Sequence, residues 1–313
     1  MNRQTSPLLR QLDNPALSRN QRALIRCQIA KELEEGGNYE AARSAMGELW
    51  QRVGEHPKIK ELDRCTAAEV LLRAGALSGW IGSTRQVEGA QEIAKDLISE
   101  SVRIFKALHE EQKVAEAQVE LAICYRREGA FNEARVTLQD ALSHLTDKDN
   151  ELRALASLRS SSVEISATLY GDALHILEDA APLFEASENQ VLKGKFHVNL
   201  AIVLNNLGEG EQRKDYKDRA LVEYAAASYY FGEANCMRLR AQTENDLGFL
   251  LFTIERFDDA HKHLDLARKL LVSLKDSGSV AQVDETRARV LVAQGRYAEG
   301  ERVIRASVRT LER

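Results

Sequence analysis

The stretch LAICYRREGAFNEARVTLQDAL, Leu121 to Leu142, holds an apolar pair (Leu121-Ala122), a turn at Gly129, an aromatic at Phe131 and a small residue three positions later at Ala134. The same order returns in LGFLLFTIERFDDAHKHLDLA, Leu247 to Ala267. With Ala134 as the anchor, equivalent small residues stand at Ala42, Ala94, Ala173, Ala220, Ala260 and Gly300, separated by steps of 52, 40, 39, 47, 40 and 40. A period of this length marks a repeat architecture.

Three residues before the anchor stands Tyr39, Phe131, Tyr170, Phe257 or Tyr297, with Tyr216 one place out of register. Four residues after it comes Met46, Ile98, Leu138, Leu177, Tyr224, Leu264 or Ile304, and seven after it a mostly small residue such as Ala141, Ala180, Ala227 or Ala267. Offsets of 4 and 7 fall on one helical face. About thirteen residues upstream, Ile29-Ala30, Leu121-Ala122 and Leu247-Gly248 mark a preceding helix, so each unit is a helical hairpin. Glycine closes the first helix at Gly36-Gly37, Gly129 and Gly295, where a left-handed residue is needed. Small anchors let the paired helices approach closely.

Two long steps point to insertions. Leu200-Ala201 lies 20 residues before Ala220, which makes Gly208 to Asp218 about seven residues of extra turn, and Ser78 to Gly89 carries a comparable insertion. Both are expected as loops on one edge, where such loops contact ligands.

The large-small pair, tyrosine, alanine, aromatic and alanine of LAICY and its echoes resemble the tetratricopeptide repeat family, from about Ser18 to Arg313. The chain departs from that family in a period near 40 rather than 34 and in lacking its tryptophan and its proline after the second helix; longer helices account for all three, as in kinesin light chain and bacterial peptide-sensing regulators. The resemblance implies an all-α fold, a right-handed superhelical solenoid of about seven hairpins with first helices lining a concave face. Residues 1–17 are expected to form part of an N-terminal cap and 18–313 the solenoid. The last helix, Ala298 to Arg313, keeps an apolar stripe at Ile304, Val308 and Leu311, which predicts either a chain continuing past Arg313 or self-association through that edge.

Composition bounds the rest. The 313 residues are 44% hydrophobic and 29% charged with a net charge of -5, the profile of a globular chain rather than a disordered one. Four prolines favour long helices. The four cysteines, Cys27, Cys65, Cys124 and Cys236, form no C-x-x-C pair and read as buried free thiols of a cytoplasmic protein. No export signal or run of about 18 apolar residues is found, so no membrane partner is expected.

No phosphate loop, dinucleotide fingerprint, zinc-protease motif or nucleophile elbow occurs. His261 and His263 point about 200° apart on a helix and cannot share a metal. Carboxylate clusters such as Glu34-Glu35 and Asp258-Asp259 are explained by helix ends. No catalytic residue, metal or cofactor is expected. Arg287 to Arg313 holds seven arginines against three glutamates, yet lacks interleaved aromatics in an acidic chain, so no nucleic-acid partner is expected either.

The candidate ligand surface is the concave face. Lys195, Asn199, Ile202 and Asn206 share one helical stripe, and Gln242, Asn245, Phe249 and Phe252 share the next. Asn199-Leu200-Ala201 looks like the N-L-A segment of the resembled repeats, which implies asparagines gripping a peptide backbone; an asparagine amide both donates and accepts. Arg126, Arg127 and Arg159 are placed to meet a carboxylate or acidic residue of the ligand. The expected function is a non-catalytic scaffold or adaptor for a peptide or protein segment. The alternative is the ligand-sensing module of a larger bacterial signalling or transcription regulator.

Overall fold

The computed structural model describes residues 5–210 and 213–311, and within them are fifteen α-helices and no strand. After α1 (Thr5–Gln11) come seven hairpins. They pair α2 (Arg19–Glu35) with α3 (Tyr39–Met46), α4 (Arg64–Arg85) with α5 (Ala90–Ala107), α6 (Glu111–Arg127) with α7 (Phe131–Ser143), and α8 (Asn150–Ser166) with α9 (Tyr170–Ala186). Then α10 (Gln190–Gly210) pairs with α11 (Lys214–Glu233), α12 (Met237–Thr253) with α13 (Phe257–Ser273), and α14 (Ser277–Ala293) with α15 (Tyr297–Leu311). The chain divides into two compact units, one ending at Glu188 and one beginning at Asn189.

The repeat anchors explain the pairing. Ala42, Ala94, Ala134, Ala173, Ala220 and Ala260 are all fully buried, and the aromatics Tyr39, Phe131, Tyr170, Phe257 and Tyr297 are the first residues of second helices. Close approach is enforced by the absent side chain at Gly248, where a Cβ would stand 2.7 Å from Leu264 Cγ. Gly75 holds the same relation to Ile98, with 2.6 Å to its Cγ1. In the first unit α2 packs on α4, α4 on α6 and α6 on α8, so its first helices form one continuous, closely spaced layer. Leu8, Leu9 and Leu12, in and just after α1, are partly buried against the core cluster of the first hairpins that includes Ile29, Leu33 and Met46.

The expected inserted loops are instead helix. Gly75 lies 94 − 75 = 19 residues before its anchor and Ala201 lies 220 − 201 = 19, against 260 − 248 = 12 for Gly248. Most of the seven additional residues prolong the first helix, by five in α4 and four in α10, which reach 22 and 21 residues where α2, α6, α8, α12 and α14 each have 17. Ser78 to Arg85 is the last part of α4, with the turn confined to 86–89; of Gly208 to Asp218, residues 211–212 lie outside the described residues. Helix continuation satisfies the backbone groups of the extra residues internally, which an open loop would not. The rest of the 52-residue step comes from the segment after α3, where a short 3₁₀ turn (Gly47–Leu49) buries Leu49 and Trp50.

Glycine is not the only residue at the hairpin turns. Gly37, Gly129 and Gly295 have φ of 76°, 77° and 75°, but Thr168 and Glu255 occupy equivalent positions at φ 60° and 62°. A β-branched residue there is strained. Thr168→Gly should therefore raise stability by about 0.5–1 kcal/mol, relief of the left-handed strain less the entropy glycine adds to the unfolded chain; a urea midpoint unchanged or lowered would contradict this. Three cysteines are buried as expected, whereas Cys65, second residue of α4, is exposed. No helix of the described residues is long and apolar enough to cross a membrane.

Candidate functional site

The first-helix layer of the first unit carries charged side chains in helical register. Glu69, Arg73 and Trp80 on α4 are spaced by 4 and 7, and Lys113, Glu116, Glu120 and Arg127 on α6 by 3, 4 and 7, which puts each set on one face. Arg73, only 2% exposed, lies 3.3 Å from Glu34 of α2, 3.2 Å from Glu116 and 3.7 Å from Glu69. Lys31 reaches Glu116 at 2.6 Å, and Lys113 bridges Glu69 and Glu116, each at 2.9 Å. Each carboxylate of this network thus has a cation in reach. Burial, reinforced by the nearby Glu120, pushes the Glu34 carboxyl up to about 7, whereas Lys31, Arg73 and Lys113 overcome burial at Glu116 and hold it well below the usual carboxylate range. Glu34 is therefore not a solvated helix-end carboxylate. It sits in the last turn of α2, where the dipole disfavours a negative charge, and is held there by Arg73.

Towards the C-terminal ends of the same helices the balance changes. Trp80, just before the prolonged part of α4, stacks on Tyr39 with ring centroids 5.0 Å apart and planes 12° apart. The Arg127 guanidinium lies 3.8 Å from the Trp80 centroid and that of Arg159, from α8, 5.9 Å. Gly79 makes room: a Cβ there would come 2.9 Å from Arg127 Nη1. Arg126 donates to the Ser166 hydroxyl at 3.0 Å. Burial and then the neighbouring Arg127 and Arg159 pull Arg126 down to about 10, and burial likewise lowers Arg127. Glu120, 3.9 Å from Arg159, is the carboxylate nearest these three arginines. Four buried donors have no partner here: Trp80 Nε1, Arg126 Nε, Arg127 Nη2 and Arg159 Nε. Unpaired buried donors are costly, and the three arginines have one carboxylate, Glu120, within ion-pair range. Chemically, the cluster presents N–H donors and an excess of positive charge on one face.

The sequence placed Arg126, Arg127 and Arg159 on one surface, and the fold brings them together. It did not find Trp80, Tyr39 or the Arg73 network; the only signal was charge at helical spacing in α4 and α6, which a solvated face produces equally well. In the second unit Lys195 and Asn199 are half-buried on α10. Asn206 spends its amide N–H on the Ile202 carbonyl of its own helix at 2.8 Å. On α12, Gln242 is exposed, Asn245 keeps a buried, unpaired Oδ1, and Phe249 and Phe252 stand 5.8 Å apart, Phe249 being 39% exposed. His261 and His263 serve separate partners, Gln294 at 2.9 Å and Glu244 at 2.6 Å. An open cavity of about 670 Å³ in the first unit, lined by Leu142, Leu145, Arg153, Ile176 and Leu183 among others, shares no residue with the arginine cluster.

By sequence the chain matches no family pattern and no curated protein. By structure it is similar to aspartyl phosphate phosphatase F from Bacillus subtilis, at 12% identity over 98% of this chain and 77% of that one, with a TM-score of 0.63. A Rap protein complexed with Competence and Sporulation Factor superposes with a TM-score of 0.60, at 11% identity over 98% and 92% of the two chains. BtubC (BKLC) from P. vanneervenii does so with 0.59, at 20% identity over 71% and 91%. The fold is a tetratricopeptide-type helical repeat. One expectation is corrected by these comparisons. Similar structures also include human IFIT1 with m7Gppp-AAAA, at 14% identity over 98% of this chain and 76% of that one with a TM-score of 0.49, and the expectation that nucleic-acid partners are absent is withdrawn.

Proposed function

We propose that this chain is a non-catalytic binding scaffold that holds a peptide or protein segment along its first-helix faces. The observation that carries this is the arginine–tryptophan cluster of the first unit, where four buried N–H donors lack a partner and three guanidinium groups have one carboxylate within ion-pair range. A layer of parallel first helices offers contacts at regular intervals, which suits an extended chain. A repeat of this fold has been seen complexed with Competence and Sporulation Factor, which supports the ligand-holding role. In the second unit Asn199 and Asn245 are proposed as backbone contacts, flanked by Lys195, Asn206, Gln242, Phe249 and Phe252. Four unbridged thiols suit a reducing cytoplasm.

An array of peptides about a dozen residues long, an extended reach of roughly 40 Å, tests the reading. The wild-type chain should retain a subset enriched in acidic groups. Arg127→Gln, and separately the Asn199→Ala, Asn245→Ala pair, should weaken retained peptides by about tenfold or more, as expected when a charge-assisted or paired backbone contact is lost. An array without any peptide above background, or one unaffected by all three substitutions, would overturn it.

A further inference from the structure

Which anion the arginine cluster takes can be argued from its charge and its donors. Arg126 is acted on only by other cations, Arg127 and Arg159; Glu120 is the carboxylate in ion-pair range of the three, and Glu34, which also acts on Arg159, is itself paired with Arg73. Three guanidinium charges thus face one carboxylate within ion-pair range, an excess that a doubly charged group complements better than a single carboxylate. The free donors come from four side chains on three helices: Trp80 of α4, Arg126 and Arg127 of α6, and Arg159 of α8. A carboxylate presents two oxygens in one plane, whereas a phosphoryl group presents three around a tetrahedral centre and carries close to two charges at neutral pH. Several arginines on separate elements match the second better than the first.

The Trp80 ring is already stacked by Tyr39 and by the Arg127 guanidinium, so what it adds is an indole N–H and not a platform for a base. Serine hydroxyls border the cluster, Ser166 being bound to Arg126. We infer that the arginine–tryptophan cluster of the first unit is a phosphoryl-binding site that recognises a phosphorylated side chain of a bound peptide. This rests on the segment-binding reading above and narrows it to one ligand class.

The test uses the full chain and three probes. Inorganic phosphate should raise the thermal unfolding temperature progressively with concentration, while acetate at equal ionic strength should not. The Arg126→Gln, Arg127→Gln double variant should unfold no earlier than wild type without ligand, since it removes repulsion between buried cations, and should lose the response to phosphate. A short Gly/Ala host peptide with a central phosphoserine should bind wild type at least about tenfold more tightly than the same peptide with serine, the equivalent of one good charge-assisted pair, and the ratio should fall to near one in the variant. Equal effects of phosphate and acetate, or a variant that responds like wild type, would overturn the site. Phosphate binding with no preference for the phosphoserine peptide, or tighter binding of a 5′-phosphorylated RNA oligonucleotide than of that peptide, would overturn the assignment to a peptide. Neither result would bear on the peptide array, whose failure is read separately.

Discussion

Arg73→Met should destabilise the first unit by about 3–5 kcal/mol, the cost of breaking a buried charge network by removing one partner. The guanidinium is the common neighbour of Glu34, Glu69 and Glu116, drawn from α2, α4 and α6. Without it Lys31 and Lys113 remain within reach of Glu69 and Glu116, but Glu34 loses its ion-pair partner at a buried position. Methionine is chosen because it fills much of the arginine stem's volume, so the loss reports charge and not cavity. The effect should depend on pH. The Glu34 carboxyl is already held at about 7 in the folded chain, above its ordinary 4.5, and loss of Arg73 raises it further. A folded value above the unfolded one contributes stability that is complete below 4.5 and disappears as pH rises through the folded value. The difference between wild type and variant should therefore widen from pH 5 to pH 8. Denaturant titrations at both values would show it, and a loss below about 1 kcal/mol at pH 8, within the range of exposed pairs, would mean that water reaches the network.

The second large effect is expected in the other unit. Phe231, on α11, is 2% exposed, and its ring covers Gly194 of α10 so closely that a Cβ there would come 2.5 Å from Cε1. Phe231→Ala should cost about 3–5 kcal/mol through lost transfer energy and the cavity left behind. Gly194→Ala should cost about 1–3 kcal/mol by overpacking the same contact, despite alanine's better helix propensity. Because the two residues touch, the combination of Gly194→Ala with Phe231→Leu should be less destabilising than the sum of the single changes. Strict additivity in a double-mutant cycle of thermal or urea unfolding would show that the ring moves aside freely and that the contact does not fix α10 against α11.

Both predictions concern residues that sequence periodicity treats alike, as positions of a helix facing something. Periodicity did identify the seven hairpins, since a small anchor with large residues four later and small residues seven later can only be buried on one helical face. It also located the two prolonged hairpins, because a shift of seven residues between the apolar pair and the anchor is arithmetic. It erred on what the added residues do. A stretch with glycines and polar residues such as SGWIGSTRQVEG reads as loop by composition, yet its glycines lie where α4 meets the start of α5 and where Arg127 needs space.

The repeat, its count and its all-helical nature were determined by the sequence alone, because they follow from interactions between residues three, four and seven apart on one helix. Arg126 and Arg127 could likewise be placed on the first helix of their hairpin. Only the tertiary structure decided which charges are paired. Arg73 and Glu34 are 39 residues apart, Trp80 and Arg127 are 47 apart, and Arg159 comes from a further helix. Their meeting depends on the lateral register of four stacked first helices, α2, α4, α6 and α8, set by how closely small residues let the hairpins approach. That register divides one charged layer into a half whose ions neutralise one another and a half left with unpaired donors and surplus positive charge.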